Sequence, residues 1–127
     1  MPVQLNHTIV RAKDSHASAK FLADILGLPQ PERFSHFYVV KTANDVSLDY
    51  LKADGEIKPQ HYAFLLSEEE FDAVFKRIQQ RNLAYWADPQ GQQPNEINHR
   101  DGGRGLYFED PNGHYLEILT RPYGSGT

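Results

Sequence analysis

Apolar and polar positions along this chain recur with two alternating periods, and the order of the periods repeats. From Gln4 to Arg11 the period is two. Leu5, His7 and Ile9 share one face and Asn6, Thr8 and Val10 the other, which predicts a strand. Ala17, Phe21, Leu22, Ile25 and Leu26 then recur at helical spacing, with Asp14 or Ser15 as N-cap and Gly27, Pro29 and Pro31 ending the helix. Phe34 to Thr42 and Val46 to Leu51 return to strand character around a turn at Ala43-Asn44-Asp45. Lys52 to Pro59 is a polar connector. The pattern then restarts: Gln60 to Leu66 reads as a strand, and Ser67 with Glu70 offers a capping box. Phe71, Val74, Phe75 and Ile78 form one face of a second helix, which Asn82 can end. Ala84 to Ala87 is a short strand. Asp88 to Arg104 is a long polar loop of the kind found in lids, binding loops and disordered spans. Gly105 to Asp110 and His114 to Thr120 close as a hairpin around Asp-Pro-Asn-Gly, where Asn112-Gly113 is expected to supply positive φ angles. Pro122 to Thr127 reads as a small-residue tail expected to fray.

Strand, helix, then strands therefore occur twice, an internal duplication of pattern rather than of sequence. Each half predicts a curved sheet backed by a helix, with two such sheets around a cavity and the helices outside, an α+β architecture. A chain of 127 residues fits one domain, with a first module over about residues 3–53 and a second over about 59–121. The net charge of −4, without a basic cluster, argues against nucleic acid and anionic membrane as partners. Cysteine is absent, so a bound metal would need His, Asp or Glu. The first residues lack a charged-then-apolar signal pattern and no apolar run approaches ~18 residues. A soluble cytoplasmic protein is the expectation.

Three residues stand out chemically. Glu117 lies mid-strand among apolar neighbours, where an unpaired carboxylate is costly and needs a cation or donors. His7 and His61 lie in the first strand of each half, so a pseudo-twofold relation between the halves makes those strands equivalent. Two imidazoles and a carboxylate are the ligand set of open sites for Fe(II), Mn(II), Zn(II), Ni(II) or Co(II), with positions left for water or substrate. Each residue also has a plain alternative: a strand histidine that is core or surface, and a Glu117 paired with Arg121 or another cation.

Several stretches carry a family resemblance. They are Leu5-Asn6-His7-Thr8-Ile9-Val10, Ala19 to Leu28 (AKFLADILGL), His61-Tyr62-Ala63-Phe64 and Tyr107 to Glu117 (YFEDPNGHYLE). Together they resemble the vicinal-oxygen-chelate superfamily, which includes glyoxalase I, extradiol dioxygenases, fosfomycin-resistance enzymes and bleomycin-resistance proteins. The resemblance spans Leu5 to Thr120. It implies paired βαβββ modules, a divalent metal on His7, His61 and Glu117 (Fe2+ or Mn2+ favoured), a small-molecule substrate chelated through adjacent oxygens, and a homodimer. The extradiol dioxygenases use the same three ligands with a nearby His and Tyr, for which His99 and Tyr107 are the candidates: His99 as acid–base, Tyr107 as hydrogen-bond donor to a bound oxygen. An exposed loop position for His99 and a packing role for Tyr107 are the alternatives. Glyoxalase I adds a carboxylate from the fourth strand of the first module, and Asp49 is the nearest candidate. Fosfomycin enzymes depend on a Thr two residues after the first ligand, where this chain has Ile9, and on a basic cluster for which Arg100, Arg104 and Arg121 are a thin substitute. Bleomycin-resistance proteins bind without metal and usually lack the triad. The resemblance thus favours a dioxygenase-like enzyme, with a glyoxalase-type lyase or isomerase, a fosfomycin-type thiol transferase and a metal-free binding protein as alternatives.

Overall fold

The computed structural model describes residues 2–126, which divide into two compact units at Lys58/Pro59. In the first unit, strand β1 (His7–Ala12) leads into helix α1 (Ser15–Leu26), followed by β2 (Glu32–Phe34), β3 (Phe37–Lys41) and β4 (Ser47–Lys52). The second repeats that order: β5 (His61–Leu65), α2 (Glu68–Gln80), β6 (Tyr85–Trp86), β7 (Gly105–Glu109) and β8 (Tyr115–Leu119). Each unit is a βαβββ module with one four-stranded mixed sheet, in the order β1-β4-β3-β2 or β5-β8-β7-β6. In both, the first strand lies at one edge of the sheet and pairs in parallel with the last, because the helix carries the chain across before a hairpin returns it. The predicted α+β class and the duplication hold in this form.

The local chemistry of both helices follows the residues. Asp14 caps α1 by accepting from the Ala17 amide at 3.0 Å. Gly27 ends the helix in the left-handed region, and Leu28 N–H returns to the Ala23 carbonyl at 2.9 Å. The buried stripe is Ser15, Ser18, Ala19, Leu22, Ala23 and Ile25. It is rotated from the expected one, since Ala17 is exposed and Phe21 and Leu26 are only half-buried. Beside Leu22 and Ile25, the small side chains of Ser15, Ser18, Ala19 and Ala23 allow the helix backbone a close approach to the sheet. In α2, Ser67 Oγ accepts from the Glu70 amide at 3.1 Å while Glu70 Oε1 accepts from the Ser67 amide at 2.9 Å, completing the capping box. Phe71, Val74 and Ile78 are buried, and Phe75 meets the Tyr85 ring edge-on at 5.2 Å.

Four expectations are corrected. The first strand begins at His7 rather than Gln4. The stretch from Phe34 to Thr42 is a hairpin rather than one strand: Ser35 takes φ 55°, and Phe34 pairs with Phe37 across a two-residue turn. In the closing hairpin only Gly113 (φ 87°) has positive φ, because Pro111 favours a type I turn in which Asp110 Oδ1 accepts from the amides of Asn112 and His114. The 122–126 segment is held rather than frayed, since Asp101 accepts from the amides of Gly124 and Gly126, both at 3.1 Å. Thr127 lies outside the described residues. The long loop is also tied down: Asn98 exchanges both backbone bonds with Gly105 and donates its side-chain amide to the Ala87 carbonyl. Among the described residues no helix is long and apolar enough to cross a membrane.

The capping box gives a test with a sign. Bonds from the Ser67 amide and side chain hold the Glu70 carboxyl below its ordinary value. Its contribution is present above the unfolded carboxylate pKa of about 4.3 and is lost as pH falls through the lower folded value. Ser67→Ala should cost about 1 kcal/mol in urea denaturation at pH 7. The gap from the parent should narrow below about pH 4. A gap that is absent at pH 7, or that widens in acid, would refute the assignment.

Candidate functional site

Sheet register decides which side chains share an open face. In the second unit Ala63 pairs with Glu117 and Tyr107 with Glu117, so the three lie side by side on β5, β8 and β7. Leu116 and Ile118, pointing the other way, are fully buried in the core. Glu117 is itself only 1% exposed. Its Oε1 lies 3.1 Å from His61 Nε2, and its Oε2 accepts the Tyr123 hydroxyl proton. Tyr107 lies beside them, with its ring centroid 6.0 Å from that of His61 and its hydroxyl 2.9 Å from the Tyr123 hydroxyl.

Proton bookkeeping gives this cluster its meaning. His61 Nδ1 is 3.0 Å from the Tyr115 carbonyl, which can only accept, so Nδ1 carries the proton. In the neutral ring Nε2 is then a bare lone pair facing a carboxylate lone pair. The two are compatible only if a second proton, or a cation, lies between them. A separation of about 3 Å is also what two adjacent ligand atoms adopt when each is about 2.1 Å from one ion. The backbone bond that fixes Nε2 as the free nitrogen is the usual support of a metal-binding histidine. The residues present therefore fit a divalent ion.

A donor chain runs behind Glu117. Arg100 Nη1 donates to the Tyr107 hydroxyl at 2.8 Å and to the Tyr123 hydroxyl at 3.3 Å. Since the Tyr123 proton goes to Glu117, the Tyr107 proton goes to Tyr123, and every bond points toward the carboxylate. Burial first, then the bonds to Glu117 and Tyr107, push the Tyr123 phenol well above its ordinary range, so it stays protonated and donating.

His7 opens β1 in the first unit, just as His61 opens β5 in the second. In β1 and β4, Ile9 pairs with Asp49. In β5 and β8, Ala63 pairs with Glu117. Asp49 thus holds in the first unit the register position that Glu117 holds in the second, two residues along from the leading histidine. His7 and Asp49 line a cleft of about 440 Å³ with Ile9, Phe37, Val39 and Lys41, and Asp49 Oδ1 is buried without a hydrogen-bond partner among the described residues. Among the described residues no three His, Asp or Glu side chains form one ready-made metal group.

Of the residues singled out in the sequence, the structure brings together His61, Glu117 and Tyr107. His7 is exposed on the first unit's sheet. His99 is exposed at the start of the 3-10 turn over Arg100–Gly102, and it is the next residue, Arg100, that reaches Tyr107. His114 is buried and accepts from the Gln60 amide through Nδ1 at 3.0 Å, a structural role. Arg121 donates to the Ser125 carbonyl at 3.0 Å. Arg100 and Tyr123 were not singled out as this donor chain. One sits in a polar loop and the other in a segment read as frayed, and no local periodicity marks either.

Residues 4–118 match the model of the Glyoxalase/Bleomycin resistance protein/Dioxygenase superfamily. The chain is similar to the glutathione transferase FosA of Serratia marcescens, 31% identical over 121 residues that cover 90% of this chain and 78% of that protein. It is similar to the metallothiol transferase FosB of Lysinibacillus sphaericus (strain C3-41), 30% identical over 94% of this chain and 84% of that one. Among solved structures, the oxidase ChaP-H2 matches with a TM-score of 0.97 and 64% identity, covering 100% of both chains.

A buried carboxylate whose worth lies in its hydrogen bonds should tolerate loss of its charge. Without added metal, Glu117→Gln should be as stable as the parent or more so, because the amide oxygen still accepts from Tyr123 and no charge is desolvated. Loss of more than about 2 kcal/mol in urea denaturation would show that the charged pair itself holds this sheet together.

Proposed function

We propose, since the chain belongs to the Glyoxalase/Bleomycin resistance protein/Dioxygenase superfamily, that it is a metal-dependent oxidoreductase that uses O2 on a small molecule bound through adjacent oxygens. The divalent ion, Fe(II) or Mn(II) by preference, would be held by His61 and Glu117 of the second unit and by His7 of a first unit, in the same chain or in a second copy of a homodimer. The observation that carries the reading is the facing pair of acceptors, His61 Nε2 and Glu117 Oε1, which a cation reconciles. Full-length likeness to an oxidase supports the oxidative direction.

Bound there, the ion supplies Lewis-acid charge and open positions for substrate oxygens. The chain's own residues do the rest. Tyr107, buried beside His61, is the candidate donor to a substrate oxygen, a role in which its hydroxyl proton would turn from Tyr123 to the substrate. His99 stands as the candidate acid–base on the exposed rim of the loop, one residue before Arg100. The cleft of the first unit offers Ile9, Phe37 and Val39 to an apolar ring or chain, with Lys41 at its edge for a negative charge.

Thiol transfer to a phosphonate, the direction of the FosA and FosB likeness, has less support in the residues. Ile9 stands where the fosfomycin enzymes carry a Thr. Arg104 is committed to Glu68 at 2.7 Å and Asp72 at 2.8 Å, and Arg100 to the two tyrosines.

The reading predicts that protein loaded with Fe(II) or Mn(II) binds the ion through His7, His61 and Glu117, and that alanine at any of the three lowers the affinity at least ~100-fold while the circular dichroism of the helices is unchanged. Oxygen consumption with a panel of catechols and related vicinal diols should follow metal loading. Metal binding unchanged in Glu117→Ala would remove the site. Glutathione consumption with fosfomycin, and none of O2 with the diols, would move the chain to the transferase branch.

A further inference from the structure

Asp101 draws the 122–126 segment to the loop that precedes β7. It sits at φ 56° in the 3-10 turn, and its two carboxylate oxygens take the amides of Gly124 (Oδ2) and Gly126 (Oδ1), each at 3.1 Å. A Cβ on Gly126 would meet the Asp101 backbone at 2.4 Å, so only glycine permits this approach. Ser125 Oγ donates to the Pro122 carbonyl at 2.6 Å, closing the turn that carries Tyr123. The result is a strap, continuous with β8 before Tyr123 and fastened by Asp101 after it, that delivers one phenol to one oxygen of Glu117.

That delivery has a chemical consequence. The terminal torsion of a glutamate is broad and nearly two-fold, so without a partner its two oxygens are interchangeable. With the Tyr123 proton on Oε2, only Oε1 is left to face His61 Nε2. Arg100 and Tyr107 fix the direction of that proton from behind.

We propose that Tyr123 is a positioning residue for the metal-binding carboxylate, holding Glu117 so that it ligates through Oε1 alone, and that Asp101 is the latch that keeps Tyr123 in place. The inference rests on the metal reading above and adds to it the strap and the choice of oxygen. Neither residue touches substrate.

The test measures metal rather than turnover. Free Mn(II) is followed by electron paramagnetic resonance during titration of the full chain, and the visible spectrum is recorded for the Co(II)-saturated protein. Tyr123→Phe removes one hydroxyl and keeps the ring. It should weaken Mn(II) binding ~10–100-fold, leave the thermal midpoint of the metal-free protein unchanged, and shift the Co(II) bands as the carboxylate becomes free to bind through both oxygens. Asp101→Ala, which removes the latch and no aromatic ring, should weaken Mn(II) binding in the same direction, and the double variant should be no weaker than Tyr123→Phe alone. A Tyr123→Phe affinity within about twofold of the parent, or an unchanged Co(II) spectrum at saturation, overturns the proposal. If Glu117→Ala loses Mn(II) in that case, the metal reading stands without the strap. If Glu117→Ala binds Mn(II) as the parent does, both fall together.

Discussion

Two acceptor atoms facing each other across 3.1 Å, His61 Nε2 and Glu117 Oε1, are the constraint from which the chemistry of the second unit follows. Neither can satisfy the other without a positive charge between them, because the Tyr115 carbonyl has already fixed the imidazole proton on Nδ1. The sheet buries Glu117 at the centre of its strand while His61 stands half-exposed beside it, so the carboxylate has little bulk water to turn to. The tyrosine pair and Arg100 take up one carboxylate oxygen and leave the other exposed to the imidazole.

The duplication explains how such a pair arises between an edge strand and its inner neighbour. In each unit a helix returns the chain so that the first and last strands lie in parallel, which sets the histidine that opens one strand close to a carboxylate in the middle of the other. His61 and Glu117 realise this in the second unit, and His7 and Asp49 hold the corresponding positions in the first. Asp is one methylene shorter than Glu, and in the first unit its inner oxygen is left without a partner among the described residues. The two units share one register and differ in what surrounds it. A scaffold of this kind serves many reactions by changing the groups around a constant centre, and the named relatives, two thiol transferases and an oxidase, illustrate that breadth.

Much of this was legible from residue order alone. The strand and helix periods carried the order strand, helix, then strands, twice over, with one strand too few in the first half, and the caps at Asp14, Gly27 and Ser67 marked real helix ends. Alternation within β8 put Glu117 opposite Leu116 and Ile118, and that assignment of faces depends only on the two-residue repeat of a strand. The errors fell where the controlling interaction was not local. The apolar stripe of α1 includes Leu22 and Ile25 as expected, but small residues, Ser15, Ser18, Ala19 and Ala23, fill the rest of the buried face in place of Phe21 and Leu26. The segment after β8 looked like a frayed tail because its anchor, Asp101, lies more than twenty residues earlier in the chain.

The sequence by itself determined the elements, their order and the residue types available for chemistry, since these depend on spacing along the backbone and on the properties of single side chains. Only the tertiary structure decided which nitrogen of His61 is free, which oxygen of Glu117 faces it, and that Arg100 and Tyr123 rather than His99 meet Tyr107. Those choices are made by hydrogen bonds between strands and loops distant in sequence, and such bonds leave no periodic trace for a reader of residues to follow.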